Sequence, residues 1–387
     1  MLRYLHFYEP RGIRLVRGEA QYVWDSKGTR YLDAHTGHGV AFLGHRHPRI
    51  LKALQEALDS IIVGGPGLAG EWLEEMLASL EPILPNWAGA VTLLNSGAEA
   101  VELALKIARR VTGRSNIVYF TGSFHGRTMG ALSVTSSNPR YRHGYEPLVP
   151  GTLQARFNDV NGLHEVINDS TAAAIVEPIQ GEGGVNPASE DFMKELRQLC
   201  NEKGCLLIID EVQTGFGRTG RVWAHQYYGI EADILVAGKA IAGGFPASMV
   251  VVPEWVADKL PPGFHGSTFG GNPMAVRCVT AAARVLREEN VTGQAEVKGN
   301  TLISKLNSEL SGLRAVRRVK GKGLMVGVEL RFPPGKAIKC LQEEKRILAL
   351  KAGSTVVRFL PPYVINERDI DEIVRGVSDC VLRYYSR

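Results

Sequence analysis

Leu206-Leu-Ile-Ile-Asp210 is an unbroken apolar run that ends in a carboxylate, and Glu-Val-Gln213-Thr-Gly-Phe-Gly-Arg-Thr-Gly220 follows it as a glycine-rich loop. A second run, Asp233-Ile-Leu-Val-Ala-Gly-Lys239, ends in an amine. Val/Ile/Leu runs without polar alternation read as strands buried on both faces, the pattern of a parallel sheet covered by helices. Open sheets of that kind bind ligands beyond the C-terminal ends of their strands. Asp210 alone reads equally well as a loop cap or a ligand contact. Lys239 shifts the balance, because ammonium groups are rarely buried unless paired. A desolvated lysine has a lowered pKa and becomes an amine nucleophile able to condense with a carbonyl. The segment is not a phosphate-binding P-loop: Asp233 stands where that loop needs its first glycine, and Ala240 where it needs Ser or Thr.

The same reading extends outward. Residues 90–95, 117–120 and 172–176 are further buried runs, while helices are predicted over 98–111, with an apolar stripe of Val101, Leu105 and Ala108, and over 191–203. The fold class is α/β. The flanks differ: 12–16 and 21–24 read as short strands, with a turn at Ser26-Lys-Gly28. From about Asn290 a helix leads to a strand over 324–330, another helix, a strand over 356–359 and a last helix from Glu367. The expected organisation is a large domain over 48–275 and a smaller α+β domain built from both ends, 1–47 and 276–387.

The chain has 387 residues, 44% hydrophobic and 22% charged, and a net charge of +5. That is globular composition with room for two domains. No apolar stretch approaches the ~18 residues of a membrane span, and the first residues lack the pattern of a secretory signal. Five scattered cysteines read as reduced thiols in the cytoplasm. The charge excess is too small to imply nucleic acid but leaves an acidic partner open. His45-Arg-His47 lacks further metal-ligand spacing, and His47 before Pro48 reads as a helix cap.

The Asp210 and Lys239 pair resembles that of fold-type I pyridoxal-phosphate enzymes, and the surrounding motifs resemble class III aminotransferases. The likeness runs from Gly18-Glu-Ala-Gln-Tyr-Val-Trp-Asp25 to Val357-Arg-Phe-Leu-Pro-Pro362. It implies a mostly parallel seven-stranded sheet in the large domain. It also implies that Lys239 carries pyridoxal 5'-phosphate and that Asp210 pairs with the pyridine nitrogen, keeping it charged so that the ring absorbs electrons. By the same resemblance Ser96, Gly97 and Ala98 hold the phosphate at a strand-to-helix junction, as helix N-termini do. Read by itself, Ser96 is an ordinary N-cap. Phe124 matches a ring-stacking position, and Val212 and Gln213 match contacts to the ring face and ring hydroxyl. Arg127 matches the arginine that grips a substrate carboxylate. Glu182 matches an acid that pairs with a distant arginine, here Arg358, and releases it to glutamate. Thr268 matches a residue reaching the phosphate of a neighbouring subunit, which implies a homodimer with shared sites, and Ser267 beside it joins the substrate-binding group. Three departures stand out: Ala98 where some relatives carry Thr, His38 where an apolar residue is expected, and Ala242 inside a run that is usually glycine.

Within class III the chain is most similar to the acetylornithine branch, and closer still to relatives acting on an amino-group carrier protein, LysW. The segments 35–45, 237–246 and 350–359 carry that similarity. The implied reaction is reversible transfer between glutamate/2-oxoglutarate and the terminal semialdehyde of LysW-linked aminoadipate, or of the glutamate analogue. An acetylornithine or ornithine aminotransferase acting on the free amino acid is the alternative. A semialdehyde mutase or diamino-acid decarboxylase would share Lys239 and Asp210. A nicotinamide oxidoreductase lacks its G-x-G-x-x-G, and a non-enzymatic basic binding protein leaves Lys239 unexplained. The basic runs Arg314, Arg317, Arg318, Lys320, Lys322 and Arg140, Arg142, His143 are candidate docking surfaces for an acidic carrier, although such runs are more often solvated faces.

Overall fold

The computed structural model describes residues 2–64, 67, 68 and 70–385. Its strands are β1 (Leu15–Glu19), β2 (Tyr22–Asp25), β3 (Arg30–Asp33), β4 (Ala90–Leu94), β5 (Asn116–Phe120), β6 (Thr152–Ala155), β7 (Thr171–Val176), β8 (Ile179–Gln180) and β9 (Asn186–Pro187). They continue with β10 (Leu206–Asp210), β11 (Ile234–Ala237), β12 (Ser248–Val252), β13 (Val316–Lys322), β14 (Met325–Leu330), β15 (Ile347–Leu348), β16 (Leu350–Ala352) and β17 (Val356–Phe359).

The central sheet has seven strands in the order β4-β12-β11-β10-β7-β5-β6. Only β12 runs antiparallel to its neighbours; β10, β11, β7, β5 and β6 are parallel. Every residue of β7, β10, β11 and β12 is buried. The reason is visible in the alternation of faces. Ile208 and Val236 join Val101 and Leu105 of the helix Gly97–Thr112 in one core, while Leu207 and Ile209 join Phe192 and Leu196 of the helix Glu190–Lys203 in another. Both faces being covered, neither can be polar. The helix Gly97–Thr112 starts with a capping box, Ser96 with Glu99, and stops at Gly113 in the left-handed conformation.

The two ends of the chain meet outside this sheet. β1, β2 and β3 form an antiparallel meander whose last strand pairs in parallel with β15, Leu32 opposite Ile347. β13, β14, β17 and β16 make a separate antiparallel sheet. β3 was not expected: Arg30-Tyr-Leu-Asp33 is too short to signal itself and becomes a strand by pairing on both sides. The helix Pro273–Glu288 runs through position 275, where the large domain was expected to end. It buries Ala275, Val276, Val279, Ala282 and Ala283 in the main core. His47 does cap the helix Pro48–Leu58, its Nδ1 accepting from Arg49 N–H, and His45 is held by Asp33 at 2.7 Å.

The expectation of five free thiols is corrected. Cys340 and Cys380 form a disulfide, while Cys200, Cys205 and Cys278 are free and buried. The helix Gly335–Glu343 lies against the C-terminal helix Glu367–Tyr385, bringing the two Cα atoms within 5.8 Å. A separation of 40 residues in sequence carries no sign of that proximity. Cross-linking the helices restricts the unfolded chain, and Cys340→Ser is expected to lower unfolding stability by about 2–4 kcal/mol. Urea unfolding with and without reductant checks this: the reductant should shift the wild-type midpoint and leave that of the variant in place.

Candidate active site

Parallel pairing of β10 with β11, Asp210 opposite Val236, brings the C-terminal ends of both strands to one edge. Asp210 is the last residue of β10 and is buried. One carboxylate oxygen accepts the Val212 N–H at 3.0 Å and the other lies 2.7 Å from His125 Nδ1. A carboxylate only accepts, so Nδ1 carries the proton. The other nitrogen, Nε2, is buried with no hydrogen-bond partner among the described residues. Lys239 follows β11 with φ of +51°, a conformation costly for any residue but glycine and concentrated at functional sites. Burial lowers the pKa of its amine, opposed first by the charge of Asp210 and next by that of Glu182.

These side chains line a cavity of about 440 Å³. Its floor includes Ser96, Gly97 and Ala98 at the N-terminus of the helix Gly97–Thr112. Ser96 Oγ satisfies the Glu99 N–H, which leaves the Gly97 and Ala98 N–H groups without an acceptor inside the helix. Gly97 is needed for close approach, since a Cβ there would sit 3.0 Å from Val212 Cγ1. Val212 and Phe124 supply apolar walls, and the Phe124 ring meets Tyr141 edge-on at 6.0 Å. Arg127 is exposed at the rim, its guanidinium 3.8 Å above the Tyr141 ring. On the opposite wall Arg358, fully buried in β17, donates to Glu182 at 2.5 Å and to Gln213 at 3.0 Å. Gln213 spends its amide nitrogen on the His38 carbonyl at 2.9 Å.

Lys239, Asp210, Ser96, Gly97, Ala98, Phe124, Val212, Gln213, Arg127 and Glu182 thus share one cavity, with Arg358 bonded to two of them. Ser267 stands behind the floor and accepts from Asn95 at 3.4 Å and from the Gly270 N–H at 3.1 Å. Thr268 is exposed and does not line the cavity of its own chain. Sequence reasoning missed several lining or bordering residues, among them His125, Glu177 and Tyr141. His125 directly follows Phe124 and Glu177 stands five residues before Glu182, but nothing in spacing says that their side chains turn inward. Tyr141 closes the single 3₁₀ turn Pro139–Tyr141, which is too short to carry a periodic pattern.

A buried carboxylate, a desolvated amine, apolar faces and free N–H groups at a helix start fit an anionic aromatic aldehyde. Pyridoxal phosphate has those features, with Lys239, Asp210 and the Gly97 turn as the groups that would hold it. Comparison with known proteins agrees. The family described as Aminotransferase class-III matches residues 7–381. The chain belongs to the class III aminotransferases. It is 54% identical over 371 residues to a protein of Sulfurisphaera tokodaii named LysW-aminoadipate semialdehyde/glutamate semialdehyde transaminase, covering 96% of this chain and 95% of that one. It is 41% identical over 369 residues to the LysW-aminoadipate semialdehyde transaminase of Deinococcus radiodurans, covering 95% and 85%. Among solved structures, the ornithine aminotransferase of Toxoplasma gondii superposes with a TM-score of 0.92 at 33% identity over 98% of this chain and 92% of that one. The acetylornithine aminotransferase of Elizabethkingia anophelis does so with 0.86 at 32% identity over 98% and 96%.

This aminotransferase therefore depends on pyridoxal phosphate, which when bound acts as the sink for the electrons released at the substrate carbon. Lys239→Ala is expected to purify without the visible absorbance of the bound cofactor and to lose about 10³-fold or more in turnover. Wild-type absorbance in that variant would remove Lys239 from the chemistry.

Glu177 lies under the same floor. Burial pushes its carboxyl up to about 7, the nearby Asp210 adds to this, and His125 with the Gly181 and Phe124 N–H groups opposes it. A raised carboxyl pKa means that the folded state prefers the neutral acid. Its contribution is intact below the ordinary value of 4.5 and is lost as pH rises through about 7. Unfolding stability of the wild type is expected to fall across that window relative to Glu177→Gln, measured by urea titration at pH 5, 6, 7 and 8.

Proposed function

We propose that this enzyme moves an amino group between glutamate/2-oxoglutarate and the terminal semialdehyde of an aminoadipate unit, or its glutamate analogue, carried on the acidic protein LysW. In this reading Lys239 holds the cofactor and, once freed, moves a proton at the substrate carbon. Asp210 keeps the cofactor nitrogen charged, and His125 holds Asp210 in place. Gly97, Ala98 and Ser96 receive the phosphate, and Phe124 and Val212 sandwich the ring. Arg127 grips the α-carboxylate of the carrier-linked substrate. The observation that carries the reaction class is the buried Arg358 closed off by Glu182. A site that must accept a dicarboxylate and, in turn, a neutral-ended amine needs a cation that can be offered and withdrawn, and a carboxylate on a glycine-flanked loop does that.

The carrier enters from the relatives' names, since proteins so named align with at least 95% of this chain. The surface supports it unevenly. Arg317, Arg318 and Lys320 share Glu329, and Arg142 is spent on Tyr119, Ser133 and Thr135. Glu329 offsets one of those three charges, while the Arg142 guanidinium keeps its charge but is turned onto neutral acceptors. In this reading Thr268, exposed and away from its own cavity, serves the neighbouring subunit's phosphate site, and the working unit is a homodimer. Biosynthesis of lysine or arginine puts the enzyme in the cytoplasm.

The second reading, an acetylornithine or ornithine aminotransferase, is favoured by the frame shared with those two solved structures. Turnover of carrier-linked lysine and of free acetylornithine, each with 2-oxoglutarate, separates them. A kcat/KM for the carrier-linked amine larger by about 100-fold, falling as salt rises from 50 to 500 mM, is expected. Equal values, or no salt dependence, would refute the carrier assignment.

A further inference from the structure

Four residues at the cavity wall form a closed circuit. Arg358 Nη2 donates to Glu182 Oε1 and Arg358 Nη1 to Gln213 Oε1. Gln213 Nε2 donates to the His38 carbonyl, and His38 Nδ1 returns to Glu182 Oε1 at 3.7 Å. Two glycines leave room for it. A Cβ on Gly181 would lie 2.7 Å from Gln213 Oε1, and one on Gly39 2.9 Å from Gln213 Nε2. His38 is the member that carries no assigned role, and its backbone is held in the left-handed region at φ +61°. Its N–H donates to His35 Nδ1 at 3.3 Å, which makes that nitrogen an acceptor. Burial holds His35 neutral down to about pH 4, in keeping with that role. The remaining groups around the His38 ring are Tyr8 of the N-terminal segment at 5.8 Å, and Glu182 and Arg358 across the circuit.

We propose that His38 is the receiving partner of the Glu182 carboxylate: when a dicarboxylate takes Arg358, Glu182 swings onto the His38 ring nitrogen Nδ1 that already faces it. This rests on the reading of Glu182 and Arg358 as a gate. Removing the anion from the buried Arg358 is costly, so the gate exchanges one carboxylate for another and leaves Glu182 without its counter-charge. Glu182 is largely buried, and an unpaired carboxylate there is expensive. At 3.7 Å the His38 contact is too long for a hydrogen bond in the closed state. It therefore has strength still to gain on opening, and only such a difference between states shifts an equilibrium. The Glu182 carbonyl is pinned by the Gly353 N–H at 2.7 Å, so the movement is a side-chain rotation in a fixed loop. His38 is then a positioning residue that favours the dicarboxylate half of the cycle.

The test compares wild type, His38→Asn, Glu182→Gln and the double variant as holoenzymes. Asn tolerates the left-handed backbone and removes the ring nitrogen that faces Glu182. Calorimetry gives the Kd of the unreactive dicarboxylate glutarate and of the monocarboxylate butyrate, and stopped-flow gives each half-reaction, with glutamate and with acetylornithine. His38→Asn is expected to raise the glutarate Kd and the KM for glutamate about five-fold, with kcat and butyrate affinity held within two-fold. The effect should vanish in the Glu182→Gln background, because the partner is then gone. A His38→Asn effect of equal size on both ligands, or one undiminished by Glu182→Gln, overturns the proposal. If Glu182→Gln shifts the ratio of the two half-reactions and His38→Asn leaves glutarate affinity untouched, this inference alone fails. If Glu182→Gln leaves that ratio unchanged, the gate itself fails and the role of His38 goes with it.

Discussion

The parallel register of β10 against β11 is the constraint on which the rest depends. With Ile208, Ile209 and Asp210 opposite Ile234, Leu235 and Val236, the strands end together, and the residues just past their ends share one crevice. Slip the pairing by one residue and every side chain changes face, so Asp210 would leave the cavity. The register is held by burial on both faces, Ile208 into one core and Ile209 into the other. Two cores thereby guard a single pair of functional groups. The antiparallel β12 beyond β11 adds a further buried strand and puts Ser248 Oγ against the Ser96 carbonyl at 2.7 Å. That contact ties the helix start which faces the cavity to the sheet.

Around that pair, charges are arranged in compensating sets. Asp210 has His125, Glu182 has Arg358, and the Lys239 amine stands between two acids. None of these groups would be tolerated alone at such depth, since an unpaired buried charge costs several kcal/mol. The consequence is that each is exchangeable only for a group of like sign. A ligand carboxylate can take the place of Glu182 on Arg358, and a ligand cation can approach Asp210. Selectivity for an anionic, ring-bearing ligand follows from this pairing and from the apolar walls between the sets.

Five of the large sheet's seven strands were legible because their signal is local, runs buried on both faces needing no knowledge of their neighbours, while β6 and β12 were not read. β4, β5, β7, β10 and β11 all fall within a residue or two of the expected ranges. The ends of β10 and β11 identified Asp210 and Lys239 for the same reason. What stayed hidden depends on pairing between distant segments. β3 exists through β2 and β15, and the Cys340–Cys380 bond exists through the docking of two helices. His125 was in plain view inside Ser123-Phe-His-Gly-Arg-Thr128, yet its contact is 85 residues away on β10, and only the fold supplies that distance. His38 shows the complement, a residue out of keeping with its surroundings in sequence that turns out to sit against Glu182.

The sheet that joins β3 to β15 has a consequence for synthesis. Leu32 waits for Ile347, so the first strands emerge from the ribosome long before the residue that completes their pairing exists. The free edge of β3 is a template for wrong partners during that interval. The central sheet, by contrast, closes on segments between 90 and 252 and can form while the C-terminal part is still being made. The order of emergence then makes the cofactor-binding core the platform onto which the beginning and the end of the chain are fitted last. A truncation at either end removes one edge of the same sheet.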